Sequence, residues 1–171
     1  DDIWFVNLDV KPGNVVEVIT DGNVRHVSPL DSLGFFKEFL ASRSATTTRQ
    51  IVVMTHYPIT SGRIEPSEKL AFCKTIADAQ NGTGPFANQK LSKTNPIIYI
   101  HGHTHAAPAV STYTFPDPYG SIKFPMFDVG TPFYQAKANG PGRLHFTVLR
   151  IGGNRVEAAG VSADAQAPTG A

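Results

Sequence analysis

Cysteine is almost missing from this chain: Cys73 is the only one in 171 residues. A single thiol makes no internal disulfide and cannot build a Cys-rich zinc module. It falls in a helical pattern, where a small buried hydrophobe is the expected role. Charge is sparse as well. Charged residues make up 17% of the chain and the formal net charge is +1, against roughly 25% charged residues in an average soluble protein. No lysine/arginine cluster is interleaved with aromatics, so no nucleic-acid patch and no anionic-membrane face is expected. No apolar run approaches the ~20 residues of a transmembrane segment. The first residues carry no signal-peptide pattern, which fixes no compartment. Asn81-Gly82-Thr83 matches a glycosylation acceptor triplet, a frequent pattern and weak evidence of secretion.

What the chain does have is a 41% hydrophobic fraction, enough for a core in one domain or part of one. Its most informative stretch is Ile97-Ile98-Tyr99-Ile100 followed by His101-Gly102-His103-Thr104-His105. The apolar, β-branched and aromatic run reads as a buried strand. Gly102 lets the backbone turn sharply, and the imidazoles fall at the strand's carboxyl end, where open α/β sheets place their ligands. Neutral imidazole is the commonest transition-metal ligand, and alternate histidines on an extended backbone project to one side. Ile51-Val52-Val53-Met54-Thr55 repeats the pattern and ends in His56-Tyr57-Pro58. Two buried strands that each deliver histidine at the carboxyl end are a stronger signal than either alone.

The remaining chain supplies the frame. Strands are expected at Ile3 to Leu8, Val15 to Ile19 and Asn23 to Val27, with Asp21-Gly22 as a hairpin signal. His26 and His145 lie in alternating strand patterns and read as structural. Asp31 is a good N-cap for a helix whose Leu33, Phe36, Phe39 and Leu40 share an apolar face. Between the histidine strands, Thr60 to Asn95 is either an ordinary crossover or a cover over a site. Its helix starts at Glu65-Pro66, with Leu70, Cys73, Ile76 and Ala77 on one face, and breaks at Asn81 to Gly84. A further short helical turn is expected from Pro85 to Leu91. Strands then follow at Val110 to Phe115, Ser121 to Val129, Arg143 to Ile151 and Asn154 to Ala159, the last two joined at Gly152-Gly153. One domain portion over residues 1–160 and a flexible tail over 161–171 are expected.

Three metal-histidine patterns fail here. An H-x-H-x-D-H motif needs aspartate where this chain has His105 and histidine where it has Ala106. A cupin needs glutamate within Ala106-Ala107-Pro108-Ala109-Val110, and a TIM-barrel hydrolase needs a longer chain. A fourth fits. Gly102-His103-Thr104-His105 after an apolar strand, with His56-Tyr57-Pro58 closing an earlier one, resembles the calcineurin-like metallophosphoesterases. The order of elements from about Ile3 to Ala159 is similar too.

The resemblance implies an α/β (α+β-like) fold: a two-sheet β-sandwich flanked by helices, of which this chain would be the C-terminal half. It implies a dinuclear centre of two divalent or trivalent metal ions (Fe, Mn, Zn or Ni). His56 and His103 would ligate one metal and His105 the other. Tyr57 and Arg63 are near enough in sequence to reach a substrate phosphate, or are surface and packing residues. His101, outside the motif, either packs at the strand end or stands behind the ligands. The implied activity is phosphomonoester or phosphodiester hydrolysis. The family's Asp-x-His, Gly-Asp and Asn-His motifs are absent from this sequence, so no catalytic acid lies in this chain. The N-terminal portion of the enzyme is therefore expected as a separate or cleaved partner chain. Two other readings stand beside this one: a non-catalytic scaffold of the same fold, and a mononuclear zinc enzyme with three histidine ligands.

Overall fold

The computed structural model describes residues 3–8, 11, 18–21, 24–27, 32–42, 50–87, 97–104, 108–130, 133–134, 143–152 and 155–164. The chain runs β1 (Ile3–Asn7), β2 (Val18–Asp21), β3 (Val24–Val27), α1 (Ser32–Ala41), β4 (Gln50–Thr55), α2 (Pro66–Asn81) and β5 (Ile98–His101). It continues β6 (Ala109–Thr114), β7 (Lys123–Asp128), β8 (Phe133–Tyr134), β9 (Arg143–Gly152) and β10 (Arg155–Asp164).

The centre is a five-stranded sheet in the order β1-β4-β5-β7-β6, parallel throughout except for β6 on the edge. β4 lies between two parallel neighbours and is buried along nearly its whole length. A strand covered on both faces needs a continuous apolar run, which Ile51-Val52-Val53-Met54 supplies. Its two faces meet different layers. Ile51 and Val53 point to the helices, where Leu33, Phe36 and Leu40 of α1 and Phe72, Cys73 and Ile76 of α2 join the main core. Val52 points the other way, with Ile98 and Phe127, toward Leu149 and Ile151 of β9. The fold is therefore α/β, with helices on one face of a mixed sheet and a β-strand of a second sheet on the other.

That second sheet has the order β10-β9-β8, with β9 and β10 paired from Gly152 and Arg155 outward to Arg143 and Asp164. Residues 161–164, expected in a flexible tail, are thus strand, because Ser162, Ala163 and Asp164 keep partners on β9. β8 has no counterpart among the expected strands. β2 and β3 form a two-stranded ribbon of their own, so the described residues hold three sheets rather than two.

Helix α2 is the crossover that parallel β4 and β5 require. Pro66 opens it, the Glu68 carboxylate accepts from the Glu65 N–H at 3.1 Å, and Lys11 Nζ donates to the same carboxylate oxygen at 3.2 Å. Gly82, in the left-handed region at φ 67°, ends it. A side chain there would be strained, so glycine is favoured. Phe72 stacks on Phe36 with ring centroids 5.4 Å apart. That contact turns the buried arc toward Phe72, Cys73 and Ile76 and leaves Leu70 at its rim, 41% exposed, against the expected shared face. The expected turn after Gly84 is a single 3-10 turn, Gly84–Phe86. The expected Asp31 cap and residues 88–96 lie outside the described residues. No helix among the described residues is long and apolar enough to cross a membrane.

Candidate functional site

Three parallel strands, β4, β5 and β7, end side by side at their carboxyl edge. Their exits are tied by backbone bonds that continue the ladder beyond the sheet. The Gly102 N–H donates to the His56 carbonyl at 3.2 Å, and the Val129 N–H donates to the His101 carbonyl at 2.9 Å. The loop after each strand is therefore held against its neighbour's loop.

This brings His56 and His103 together. His56 Nε2 and His103 Nδ1 are 3.1 Å apart, with the ring planes inclined at 76°. His56 is exposed and His103 half-buried. Tyr57 closes the group, its ring centroid 4.3 Å from that of His103 and 5.0 Å from that of His56. The Arg63 guanidinium lies over the Tyr57 ring at 5.8 Å. Its own backbone N–H donates to Ser61 Oγ at 3.1 Å, within the turn that follows Pro58. His56, Tyr57, His103 and Arg63 thus form one cluster at the sheet edge. His105 lies outside the described residues.

The His103 backbone has φ 73°. For a residue with a Cβ this left-handed conformation costs about 1–2 kcal/mol and persists only where the surroundings fix it. Alternation along an extended backbone would place His103 and His105 on one side of the chain. The chain leaves the extended region at His103, and the side taken by His105 lies outside the described residues.

Beneath the His56–Tyr57 turn lies a buried hydroxyl pair. Thr55 Oγ1 is 2.7 Å from both the Tyr99 hydroxyl and the Tyr57 carbonyl, and the Tyr99 hydroxyl is 3.0 Å from that same carbonyl. Burial drives the Tyr99 pKa well above its ordinary value, and the Thr55 hydrogen bond opposes this only in part. The hydroxyl therefore stays protonated and available to donate. The carbonyl after His56 is fixed from two directions.

His101 is buried at 4% exposure, on the Tyr99 side of β5. Its Nδ1 is 3.0 Å from the Gly102 carbonyl. A carbonyl only accepts, so the ring N–H at Nδ1 is the donor. The ring braces the turn that carries His103. Asp128 is a residue that sequence reasoning missed. It ends β7 opposite His101 in register, is 8% exposed, and accepts from Thr104 Oγ1 and, at 2.8 Å, from the Gly130 N–H. A signal for it is present: an aspartate followed by Val129-Gly130 closes an apolar strand in the same way that the two histidine strands close.

Among the described residues no set of three or more His, Cys, Asp or Glu side chains is placed to hold a metal ion. Comparison with protein-family models, with curated proteins and with solved structures gives no match to this chain.

Proposed function

We propose that the chain is part of a metal-dependent phosphoester hydrolase of the calcineurin-like metallophosphoesterase kind, with His56, His103 and His105 as ligands of a dinuclear centre. The observation that carries this reading is the convergence of His56 Nε2 and His103 Nδ1 to 3.1 Å. Nitrogens bound at ~2.1 Å to one ion sit about 3.4 Å apart in tetrahedral and about 3.0 Å apart in octahedral geometry. The observed spacing lies between these values, so the pair fits a shared cation as well as it fits a direct hydrogen bond.

Metal ions bound there would supply a hydroxide near neutral pH and neutralise phosphoryl oxygens during displacement. The chain's own residues do the positioning. His56 Nε2 and His103 Nδ1, from adjoining strand exits, would hold the shared ion. Tyr57 and Arg63, at the same rim, offer a hydroxyl and a guanidinium to an anionic phosphoryl group. The hydroxyls of Thr55 and Tyr99 hold the His56–Tyr57 backbone. Imidazoles without a carboxylate do not balance a dinuclear cation centre. The reading therefore includes a partner polypeptide, or another part of the same one, that contributes acidic ligands.

The test uses the full natural polypeptide with any accompanying chain. Metal content is measured first, then hydrolysis of p-nitrophenyl phosphate and bis(p-nitrophenyl) phosphate. Bound metal with turnover, both lost in His56→Ala and His103→Ala, is the expected result. Absence of metal from the complete assembly, or full turnover by the 171-residue chain alone, would overturn it.

A further inference from the structure

We infer that Asp128 and Thr104 act together as a positioning lock on the His103 turn. This rests on the metal-site reading above and assigns it two residues that touch neither the proposed metal nor a substrate.

The two oxygens of Asp128 serve two different loops. Oδ1 accepts from the Gly130 N–H on its own strand's exit. Oδ2 accepts from Thr104 Oγ1 on the exit of β5. Asp128 is 8% exposed, and a charged acceptor strengthens both bonds. With both oxygens so engaged, Asp128 serves as a brace rather than as a ligand.

What the brace holds is the one non-glycine residue with positive φ among the described residues, His103 at 73°. Such a conformation persists only where the flanks are fixed. On one flank the Gly102 N–H is bound to the His56 carbonyl at 3.2 Å. On the other flank, Thr104 is bound to Asp128. His103 is thereby pinned between β4 on one side and β7 on the other, and its Nδ1 is delivered to His56. Partners behind metal ligands of this kind change metal affinity by about 10–100-fold when removed.

The test measures Zn2+ affinity of the full natural polypeptide by competition with a chromophoric chelator, alongside urea unfolding. Thr104→Val removes the hydroxyl from an exposed side chain and should weaken Zn2+ binding about 10-fold or more, with a fall in the urea midpoint smaller than that of Asp128→Ala, because the Gly130 bond to the carboxylate remains. Thr104→Ser restores the donor and should bind as wild type does. Asp128→Ala should weaken binding at least as much and also lower the midpoint, because both loops lose their acceptor. Equal affinity in wild type and Thr104→Val overturns the lock and leaves the metal reading standing. A Thr104→Val midpoint that falls as far as that of Asp128→Ala shows a purely structural role and also overturns it. A wild-type assembly that takes up no Zn2+ overturns both.

Discussion

Removing both hydroxyls beneath the His56–Tyr57 turn should cost more stability than the sum of removing each. Thr55 Oγ1, the Tyr99 hydroxyl and the Tyr57 carbonyl form a triangle with sides of 2.7, 2.7 and 3.0 Å. It contains only two hydroxyl protons, so two hydrogen bonds exist at once. Either hydroxyl alone can satisfy the carbonyl. Thr55→Val leaves Tyr99 to donate to it at 3.0 Å, and Tyr99→Phe leaves Thr55 to donate at 2.7 Å. Each single change therefore removes one bond without orphaning a group, worth about 0.5–1.5 kcal/mol. The double variant strips the carbonyl of both donors and adds a desolvation cost of about 1–3 kcal/mol. A coupling of at least ~1 kcal/mol follows. Urea unfolding of the four proteins, compared through midpoints at constant slope, measures it. The Tyr99 hydroxyl is held protonated by burial, so the same coupling should appear anywhere near neutral pH. Additivity within about 0.5 kcal/mol would show that the two hydroxyls are independent and would refute the shared-acceptor argument.

Two further outcomes are expected. Burial raises the Cys73 thiol from 9.0 to about 12, so the folded chain keeps a proton that the unfolded chain has released. Its contribution is intact below pH 9 and is lost as pH rises toward 12. Urea midpoints measured from about pH 8 upward should fall, and Cys73→Ala should delay the fall toward pH 10, where Tyr113 and Tyr99, both raised from 10.0 chiefly by burial, take over. Phe36→Ala should cost about 3–5 kcal/mol in urea unfolding followed by circular dichroism, because the ring is fully buried and stacks on Phe72 across the α1–α2 contact.

The strands that carry the site are legible in the sequence because they are buried on both faces. β4 and β5 read as continuous apolar runs, and their parallel pairing, Val52 opposite Ile98 through Thr55 opposite His101, brings the following histidines together. The capping signals of α2 are equally plain: Glu65-Pro66 at the start and Gly82 at the end. Long-range choices are not legible. Leu70 has the right spacing for the core, but the position of Phe36 on another helix decides which arc of α2 is buried. β8 is only Phe133–Tyr134, too short for any alternating pattern to mark it. Thr104 reads only as the residue between two histidines, since its partner Asp128 is 24 residues away. A shared site for His103 and His56 is expected from the two strand endings, but the left-handed turn that joins them depends on contacts from two neighbouring strands, which no local pattern encodes.

The two halves of the histidine pair stand 47 residues apart in the chain, with the whole α2 crossover between them. No short peptide cut from this sequence can hold the pair, and early local helix formation does nothing to create it. It comes into being only once a long loop has closed and β4 has zipped onto β5, among the slower kinds of event in assembling a parallel sheet. The pair is consequently a property of the finished fold and of no nascent fragment of it.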